Sequence, residues 1–295
     1  MPDFSELSDF LRSRRAALTP EEIGLPQLAE RRRVPGLRRE EVALAAGLSV
    51  THYTRLEQGR VHQVSDSVLR AIARTLRLTP DESGHLMDLA RPEAITSRRA
   101  QTPRTSGAAP GVRQLIDTFT DTPALVLDRR NDIVAWNAMG HLLLGMHLPF
   151  DAPGHPDRRP NLTRMLFLDE HNRDLYPRWH EEAQLAVASL RLVAGRHPHD
   201  KQLAELIGEL TMKSEEFAQR WARHPVRTCV AGTKEIDHPL VGSMELSFQS
   251  LLLPEAAGQR VIAYTARPGS SSDAALRLLA STLRVPDTSV PTTLD

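Results

Sequence analysis

The stretch from Arg39 to Glu57 restricts the possible folds of this chain more than any other. Its sequence, REEVALAAGLSVTHYTRLE, divides at Gly47 into two short helical segments. Gly47 can adopt the left-handed conformation that ends a helix, and Ser49 is a favourable N-cap for the helix that follows. The spacing therefore predicts two short helices joined by a glycine turn, as in a helix-turn-helix.

The apolar positions of this stretch agree with that prediction. The residues expected to face inward are Val42, Ala46, Leu48, Tyr53 and Leu56. Ala43 is small where the two helices must approach each other closely. An ordinary helical hairpin with a solvated face is the alternative. It is disfavoured because the turn, the cap, the small residue and the apolar positions all point to one arrangement.

The second helix of such a motif protrudes so that one face can enter the major groove, which is about 12 Å wide. The side chains predicted to contact DNA lie on that face, at its edge, or where the chain passes the phosphates. They are Arg38, Arg39, Ser49, Val50, Thr51, His52, Thr54, Arg55 and Arg60. Val50 has no hydrogen-bonding group, so base discrimination is expected from Thr51, Thr54, Arg55 and DNA shape.

Charge is balanced over the whole chain but not locally. The chain has 37 basic and 37 acidic residues, whereas the segment from Arg31 to Arg60 has seven arginines against three glutamates. A neutral chain can thus carry a basic patch. The run of arginines at 31–33 precedes the motif. It is either a basic loop that touches phosphates or a solvated insertion.

A polar segment divides the chain. Residues 91–111 contain three prolines, two glycines and almost no large apolar residue, a composition typical of linkers. We predict a DNA-binding domain over 1–92, a linker over 93–111, a second domain over 112–285 and a flexible tail over 286–295. Further helices at Asp3–Leu18, Ser65–Leu76 and Pro80–Ala90 give the first domain the helix order of the all-α, lambda-repressor-like fold.

The second domain mixes strand and helix patterns. Strands are predicted at Ala124–Asp128, Asp132–Asn137, within Gly232–Leu253 and at Arg260–Ala266. Helices are predicted over Asn161–Arg223, with breaks near His197-Pro198 and Thr211–Ser214, and over Ser272–Leu283. Strands at both ends that enclose helices indicate an α+β domain, an antiparallel sheet with helices packed on one side.

The sequence contains no recognisable catalytic set. Motifs such as GxSxG, GxxxxGK[ST] and GxGxxG are absent, and His197, His199 and Asp200 fit no zinc signature. Cys229 is the one cysteine and is expected to be a small buried residue. We therefore predict neither an enzyme, nor a metal site, nor a cofactor.

The hydropathy pattern predicts a cytoplasmic protein. Met1–Arg15 alternates acids and arginines and lacks the apolar core of a signal peptide. No stretch approaches the roughly 20 uninterrupted apolar residues of a transmembrane helix.

Several longer segments resemble one known family. GLRREEVALAAGLSVTHYTRLEQGR (36–60) resembles the helix-turn-helix of MmyB-like, XRE-type bacterial transcription regulators. AWNAMG (135–140), NLTRMLFLDE (161–170), LYPRWHEEA (175–183), FAQRWARHPVR (217–227), GTKEIDHPLVG (232–242) and AYTARPGSSSDAALRLL (263–279) resemble their ligand-binding domain. The resemblance covers nearly the whole chain. It implies actinobacterial gene control by a DNA-binding head and a PAS-like sensory domain, which in part of the family accepts a fatty-acyl molecule.

A sensory domain needs an apolar pocket with few polar groups. The wall is predicted from Trp136, Met165, Leu166, Phe167, Trp221 and Met244. Most aromatic residues of the domain are expected to serve packing alone, and Tyr176-Pro177 with Trp179 is a candidate dimer contact.

The resulting hypothesis is a homodimeric regulator that binds a pseudo-palindromic, double-stranded operator and senses a small apolar ligand. Two alternatives remain. The second domain could bind a protein partner instead of a small molecule, or an enzyme could be fused to the DNA-binding head, although no motif supports the latter.

Overall fold

A computed structural model describes residues 5–25, 36–61, 64–90, 107–228, 230–254 and 258–283. The chain forms two compact units. The first unit consists of the described residues within Met1–Gln101 together with Gln184–Thr228, and the second of those within Thr102–Ala183 and Cys229–Asp295. The segment 184–228, which the sequence places in the second domain, thus packs with the N-terminal helices.

The helices in chain order are α1 (Ser5–Ala16), α2 (Arg39–Ala46), α3 (Val50–Glu57), α4 (Asp66–Thr75), α5 (Pro80–Ala90), α6 (Pro110–Asp117), α7 (Ala138–Gly145), α8 (Leu162–Leu168), α9 (Glu170–Leu175), α10 (Trp179–Arg196), α11 (Lys201–Lys213), α12 (Glu215–Ala222) and α13 (Ser271–Thr282). The strands are β1 (Ala124–Leu127), β2 (Ile133–Trp136), β3 (Ala231–His238), β4 (Gly242–Leu252) and β5 (Arg260–Thr265). Short 3-10 turns occupy Glu21–Ile23, Ala152–Gly154 and Pro156–Arg158. Most predicted elements agree with these bounds within a few residues. The helical stretch predicted over Asn161–Arg223 is also interrupted at Asp169 and at 176–178, and α6 and α7 were not predicted.

The turn between α2 and α3 has the predicted geometry. Gly47 has a φ of 68°, and its N–H donates to the carbonyls of Ala43 and Leu44. The hydroxyl of Ser49 accepts the N–H of His52 at 3.1 Å and so caps α3. Both predictions about this turn are confirmed.

An apolar core holds the first unit together. The fully buried residues of its N-terminal helices include Leu7, Phe10, Leu11, Val42, Ala43, Tyr53, Leu56, Leu69, Ile72 and Leu86. Ala46 and Leu48 pack against this core, and so does Val226, which comes much later in the chain. The segment 184–228 therefore contributes to the same core as the helix-turn-helix.

The second unit contains a five-stranded antiparallel sheet in the order β2-β1-β5-β4-β3. β1 and β2 form the predicted hairpin, and Asn131 in its loop has a φ of 70°. β3 and β4 pair from Ala231 with Gln249 to His238 with Gly242. The predicted antiparallel sheet is confirmed.

Helices cover both faces of β1, β2 and β5, so the prediction of helices on one side was wrong. Leu125, Trp136 and Tyr264 point into a core shared with α7 and α13. On the other face, Val126, Val134 and Val261 pack with Ile116 of α6. The reason is visible in β1 and β2, whose residues are all apolar and all buried, as in strands covered on both faces.

Some predicted features lie outside the described residues. These are the arginines at 31–33, most of the linker at 93–111, Cys229 and the tail at 286–295. Within the parts of the chain that the structure describes, no helix is both long enough and apolar enough to cross a membrane.

Candidate functional site

The structure brings five of the predicted DNA-contacting residues together on one concave surface beside α3. Ser49, Thr51, His52, Arg55 and Arg60 line it together with Val61. We call these six residues the α3 surface. Thr51, Arg55 and Arg60 are exposed on it, so hydrogen-bonding and cationic groups face solvent at one edge of the motif.

The other two predicted residues of α3 lie on the same helix. Val50 stands at its first position with 46% of its surface exposed, and Thr54 is half-buried. The opposite face carries Tyr53 and Leu56, both fully buried. The helix is therefore held by its apolar face and presents its polar face outward.

A buried carboxylate anchors the last residue of α3. The side chain of Glu57 is fully buried. Arg15 Nε donates to its Oε2 at 3.0 Å and Arg15 Nη2 to its Oε1 at 2.9 Å. Arg39 Nε donates to Oε1 at 3.1 Å. One carboxylate thus joins α1, α2 and α3.

This cluster is ionised at neutral pH. Burial by itself would raise the pKa of Glu57, but hydrogen bonds and charges from Arg15 and Arg39 hold that pKa below its ordinary value. Burial and the neighbouring Glu57 charge raise the pKa of the Tyr53 phenol. Glu57 therefore remains a charged partner of both arginines.

Arg38 and Arg39 lie at the start of α2, as predicted, and both make contacts within the protein. The backbone N–H of Arg38 donates to Glu41 Oε2 at 2.6 Å, and its Nη1 lies 3.8 Å from Glu40 Oε1. Arg39 uses its Nε for Glu57, while 40% of its side chain is exposed. Sequence reasoning missed the role of Glu57, although an acid at the end of an arginine-rich motif was a signal for it.

A buried arginine fixes the segment 184–228 within the first unit. Arg191 Nη1 donates to Glu6 Oε2 at 3.0 Å and to His224 Nδ1 at 3.0 Å, and Nη2 donates to the carbonyl of Trp221. Its guanidinium lies 3.9 Å from the centroid of the Trp221 ring. Burial lowers the pKa of Arg191 to about 10, so it stays charged at neutral pH. Its contacts connect α10 with α1 and α12.

The first unit also contains a buried, neutral histidine. His85 in α5 is buried and meets Phe10 edge to face, with 5.2 Å between ring centroids. Burial and the nearby positive charges, of which Arg191 and Arg196 are the strongest, lower its pKa to about 3. A Cβ on Gly195 would lie 2.5 Å from His85 Cε1, so any larger residue at this position of α10 would force the His85 ring to move. α5 and α10 therefore approach each other closely here.

Two polar pairs flank this contact. Arg196 Nε donates to Asp88 Oδ2 at 2.8 Å. The backbone N–H and hydroxyl of Thr228 donate to Asp81 at 2.8 Å and 2.7 Å. α5 is thus bonded both to the end of α10 and to the end of the 184–228 segment.

The six predicted wall residues of the ligand pocket do not all come together. Trp136, Met165 and Met244 share the main core of the second unit. Leu166 and Phe167 are buried in α8 beside Trp179. Trp221 belongs to the first unit, where it stacks on Phe217 with ring centroids 5.6 Å apart.

The tryptophan side chains of the second unit serve packing. Trp136 Nε1 donates to the carbonyl of Phe150 at 2.7 Å, and Trp179 Nε1 to that of Leu166 at 2.8 Å. Trp179 is buried, so its ring is not exposed for the dimer contact considered from sequence. The described residues contain no cluster of three side chains suited to hold a metal ion.

Comparison with known families agrees with this architecture. A helix-turn-helix domain model matches residues 6–86. A model described as the MmyB-like transcription regulator ligand binding domain matches residues 108–279, more than half of the chain. A comparison with curated proteins gave no match. The chain therefore belongs to the MmyB-like transcription regulators and carries a helix-turn-helix domain followed by a ligand-binding domain of that family.

Proposed function

We propose that the protein is a cytoplasmic, non-enzymatic transcription regulator that binds a pseudo-palindromic operator as a homodimer and senses a small apolar ligand. Fatty-acyl molecules are the first class to test. The observation that carries the DNA-binding part is the α3 surface, on which Thr51, Arg55 and Arg60 are exposed together. The matched ligand-binding domain supports the sensory part.

The side chains beside α3 suit distinct roles on DNA. Arg55 can donate two hydrogen bonds to a guanine edge, and Val50 can pack on a thymine methyl group. Thr51 can bond either a base or a phosphate. Arg60 and Arg38 are suited to contacts with phosphates, which position the helix without reading sequence. Specificity should therefore depend most on Arg55.

A dimer would place two such helices one DNA turn apart, about 34 Å, and would call for two half-sites related by a two-fold axis. A ligand changes operator affinity only by the difference in its affinity for the two arrangements of the heads. Both features are testable with the intact protein.

The DNA-binding proposal is tested by selecting preferred sites from random duplex DNA and measuring affinity for the best site. Arg55→Ala should lose about 1–3 kcal/mol of binding energy and relax the preference at one position of each half-site. Arg74→Ala, which removes an exposed arginine near the end of α4, is the matched control and should bind as the wild type does. Unchanged operator binding by an Arg55→Ala, Thr51→Ala double variant would contradict the proposal.

The sensory proposal is tested by native mass spectrometry of the purified protein, followed by organic extraction. One hydrophobic molecule per chain, or stabilisation by members of a fatty-acyl panel, is the expected result. An empty dimer that no panel member stabilises, together with a stable complex with another protein, would favour the protein-partner alternative.

A further inference from the structure

Helix α11 turns one face to solvent that is not uniformly polar. Its buried face carries Leu203, Leu206 and Leu210. The exposed residues directly opposite them are Lys201, Ala204, Glu205, Gly208 and Met212. Met212 is 88% exposed, the largest fraction among the exposed large apolar side chains that the structure describes. We call these five exposed residues the α11 face.

Two small residues form a depression on the α11 face, beside Met212. A Cβ built on Gly208 meets no atom within 4 Å, and Ala204 lies one turn earlier. Both residues also line an open groove of about 410 Å³, whose other walls include Leu89 and Trp221. Because glycine has no side chain, another backbone can approach closely at Gly208. The α11 face thus combines a projecting apolar side chain with a depression in which such a side chain fits.

The projection and the depression are symmetric about Gly208. Met212 lies four residues after Gly208 and Ala204 four residues before it, which is about 6 Å along the helix in either direction. A two-fold axis through Gly208, perpendicular to the helix, pairs two copies of α11 antiparallel and places each Met212 on the partner's Ala204. A parallel pair would instead place Lys201 beside Lys201 and Glu205 beside Glu205, and such like-charge contacts are unfavourable. The face is therefore self-complementary in the antiparallel arrangement, as a two-fold interface requires.

The charges at the two ends of α11 also fit this arrangement. Lys201, the first residue of α11, is exposed and has no carboxylate partner among the described residues, whereas Lys213 and Lys234 each pair with a glutamate. In the antiparallel pair, Lys201 lies at the C-terminal end of the partner's helix, where backbone carbonyls attract a cation. Glu215 is exposed just beyond that end, where it accepts a hydrogen bond from Gln219 and adds a carboxylate.

We propose that the α11 face is the interface through which two copies of this chain form a homodimer, with the two α11 helices antiparallel about Gly208. The inference rests on the homodimer of the proposed function and specifies where its subunits meet. Since a stable interface buries about 800 Å² of each subunit, the open groove beside Ala204 and Gly208 would be covered as well. The occupant of that groove is thus the second copy, whose Met212 enters it.

The first test is sedimentation equilibrium of the full-length protein. Met212→Lys places a charge on the partner's Ala204, and Gly208→Arg makes two arginines meet at the axis. The matched controls are Leu44→Lys, since Leu44 is 72% exposed on α2, and Gly84→Arg, since a Cβ there also meets nothing within 4 Å. Both changes on α11 affect exposed positions, where substitutions alter the stability of the single subunit little.

The dimer dissociation constant should rise about tenfold or more in Met212→Lys and Gly208→Arg and stay at the wild-type value in both controls. Equal dissociation constants in the wild type and Met212→Lys would overturn the inference and leave the homodimer standing, with its subunits meeting elsewhere. A wild-type protein that is monomeric at every concentration would overturn both. Operator selection with the wild type tests DNA binding separately.

The second test examines the register by disulfide cross-linking. Gly208→Cys is made in a Cys229→Ser background, and Gly84→Cys in the same background is the control. Two cysteines on the axis lie within the Cα separation of up to about 7 Å that a disulfide tolerates. Mild oxidation should therefore give a covalent dimer with Gly208→Cys and not with Gly84→Cys. Equal cross-linking of the two variants, or none with Gly208→Cys, would overturn the antiparallel arrangement about Gly208.

Discussion

The guanidinium of Arg15 binds both carboxylate oxygens of Glu57, although the two residues lie 42 positions apart in the chain. Arg15 is the penultimate residue of α1, and Glu57 is the last residue of α3. The pair therefore sets the position of the helix that is proposed to enter the major groove. Arg15 Nη1 also donates to the carbonyl of Leu37 at 2.6 Å, which ties in the entry to α2.

Arg15→Met should lower the free energy of unfolding more than Glu57→Gln does. Arg15→Met leaves a buried carboxylate with one arginine fewer, and breaking a buried pair in this way costs about 3–5 kcal/mol. Glu57→Gln should lower the free energy of unfolding less, because Arg15 and Arg39 are partly exposed and water can solvate their charges. Urea denaturation monitored by far-UV circular dichroism measures both.

The control for this comparison is Arg12→Met. Arg12 pairs with Asp9 on the exposed side of α1, and surface pairs contribute about 0–1 kcal/mol. Equal losses in Arg12→Met and Arg15→Met would contradict the anchoring role of the buried pair.

Stability of the first unit should fall on acidification because of His85. Its pKa is about 3 in the folded protein, against an ordinary value of 6.5. Between these two pKa values, His85 binds a proton in the unfolded chain but not in the folded protein. The free energy of unfolding therefore decreases as pH falls below about 6.5. For one such group the loss between about pH 7 and about pH 4.5 amounts to roughly 2–3 kcal/mol.

His85→Leu removes the titrating group at similar volume and should flatten this dependence in denaturation curves. His224 adds to the effect, since burial lowers its pKa to about 4 and its Nδ1 accepts a hydrogen bond from Arg191. His199→Leu, a change at an exposed position, should keep the full dependence. An equal dependence of the free energy of unfolding on pH in the wild type and His85→Leu would contradict this explanation.

Local chemistry explains why most elements of the fold could be predicted. The turn at Gly47 and the cap at Ser49 depend on residues within a few positions of each other, and so does the β1–β2 hairpin. The same spacing predicted which side chains of α3 face outward. Whether these contact DNA is a separate question, which the operator measurements address.

Long-range ion pairs could not be predicted in this way. Arg191 and Glu6 are 185 positions apart, and nothing in the helical pattern of α10 distinguishes this arginine from those on the surface. The assignment of 184–228 to the first unit follows from such contacts. For the same reason the sequence pattern groups Trp221 with residues of the other unit.

Asn137 should be the polar residue on which the second unit depends most. Its side-chain oxygen accepts the N–H groups of Ala124 and Gly140 at 2.9 Å and 2.7 Å, and its Nδ2 lies within 3.1 Å of three carbonyl oxygens. Asn137→Asp keeps the acceptor but removes the donors, and Asn137→Ala removes both. Each buried unpaired polar group lowers the free energy of unfolding by about 1–3 kcal/mol. Both variants should therefore lose more than about 3 kcal/mol of that free energy.

The control for Asn137 is Asn131→Gly in the adjacent hairpin loop. Asn131 has a positive φ, which glycine adopts without strain, but the change removes the hydrogen bond that Asn131 donates to Thr163 and the one it accepts from Arg260. Thermal denaturation should show a loss of about 1–3 kcal/mol in the free energy of unfolding for this variant, less than for either Asn137 variant. A similarly small loss in Asn137→Ala would contradict the role assigned to Asn137.

Two glycines should respond oppositely to the same substitution. A Cβ at Gly195 would lie 2.5 Å from Cε1 and 2.7 Å from Nδ1 of His85, within the tight contact between α5 and α10. Gly195→Ala should therefore destabilise the protein by about 1–3 kcal/mol through overpacking. At Gly208 a Cβ meets nothing within 4 Å, so Gly208→Ala should stabilise α11 by about 0.5–1 kcal/mol.

Denaturation of both variants alongside the double variant Gly195→Ala, His85→Ala tests whether contact with His85 causes the loss of stability in Gly195→Ala. Partial recovery in the double variant is expected, because the shorter side chain makes room for the new methyl group, and its absence would contradict the proposed contact.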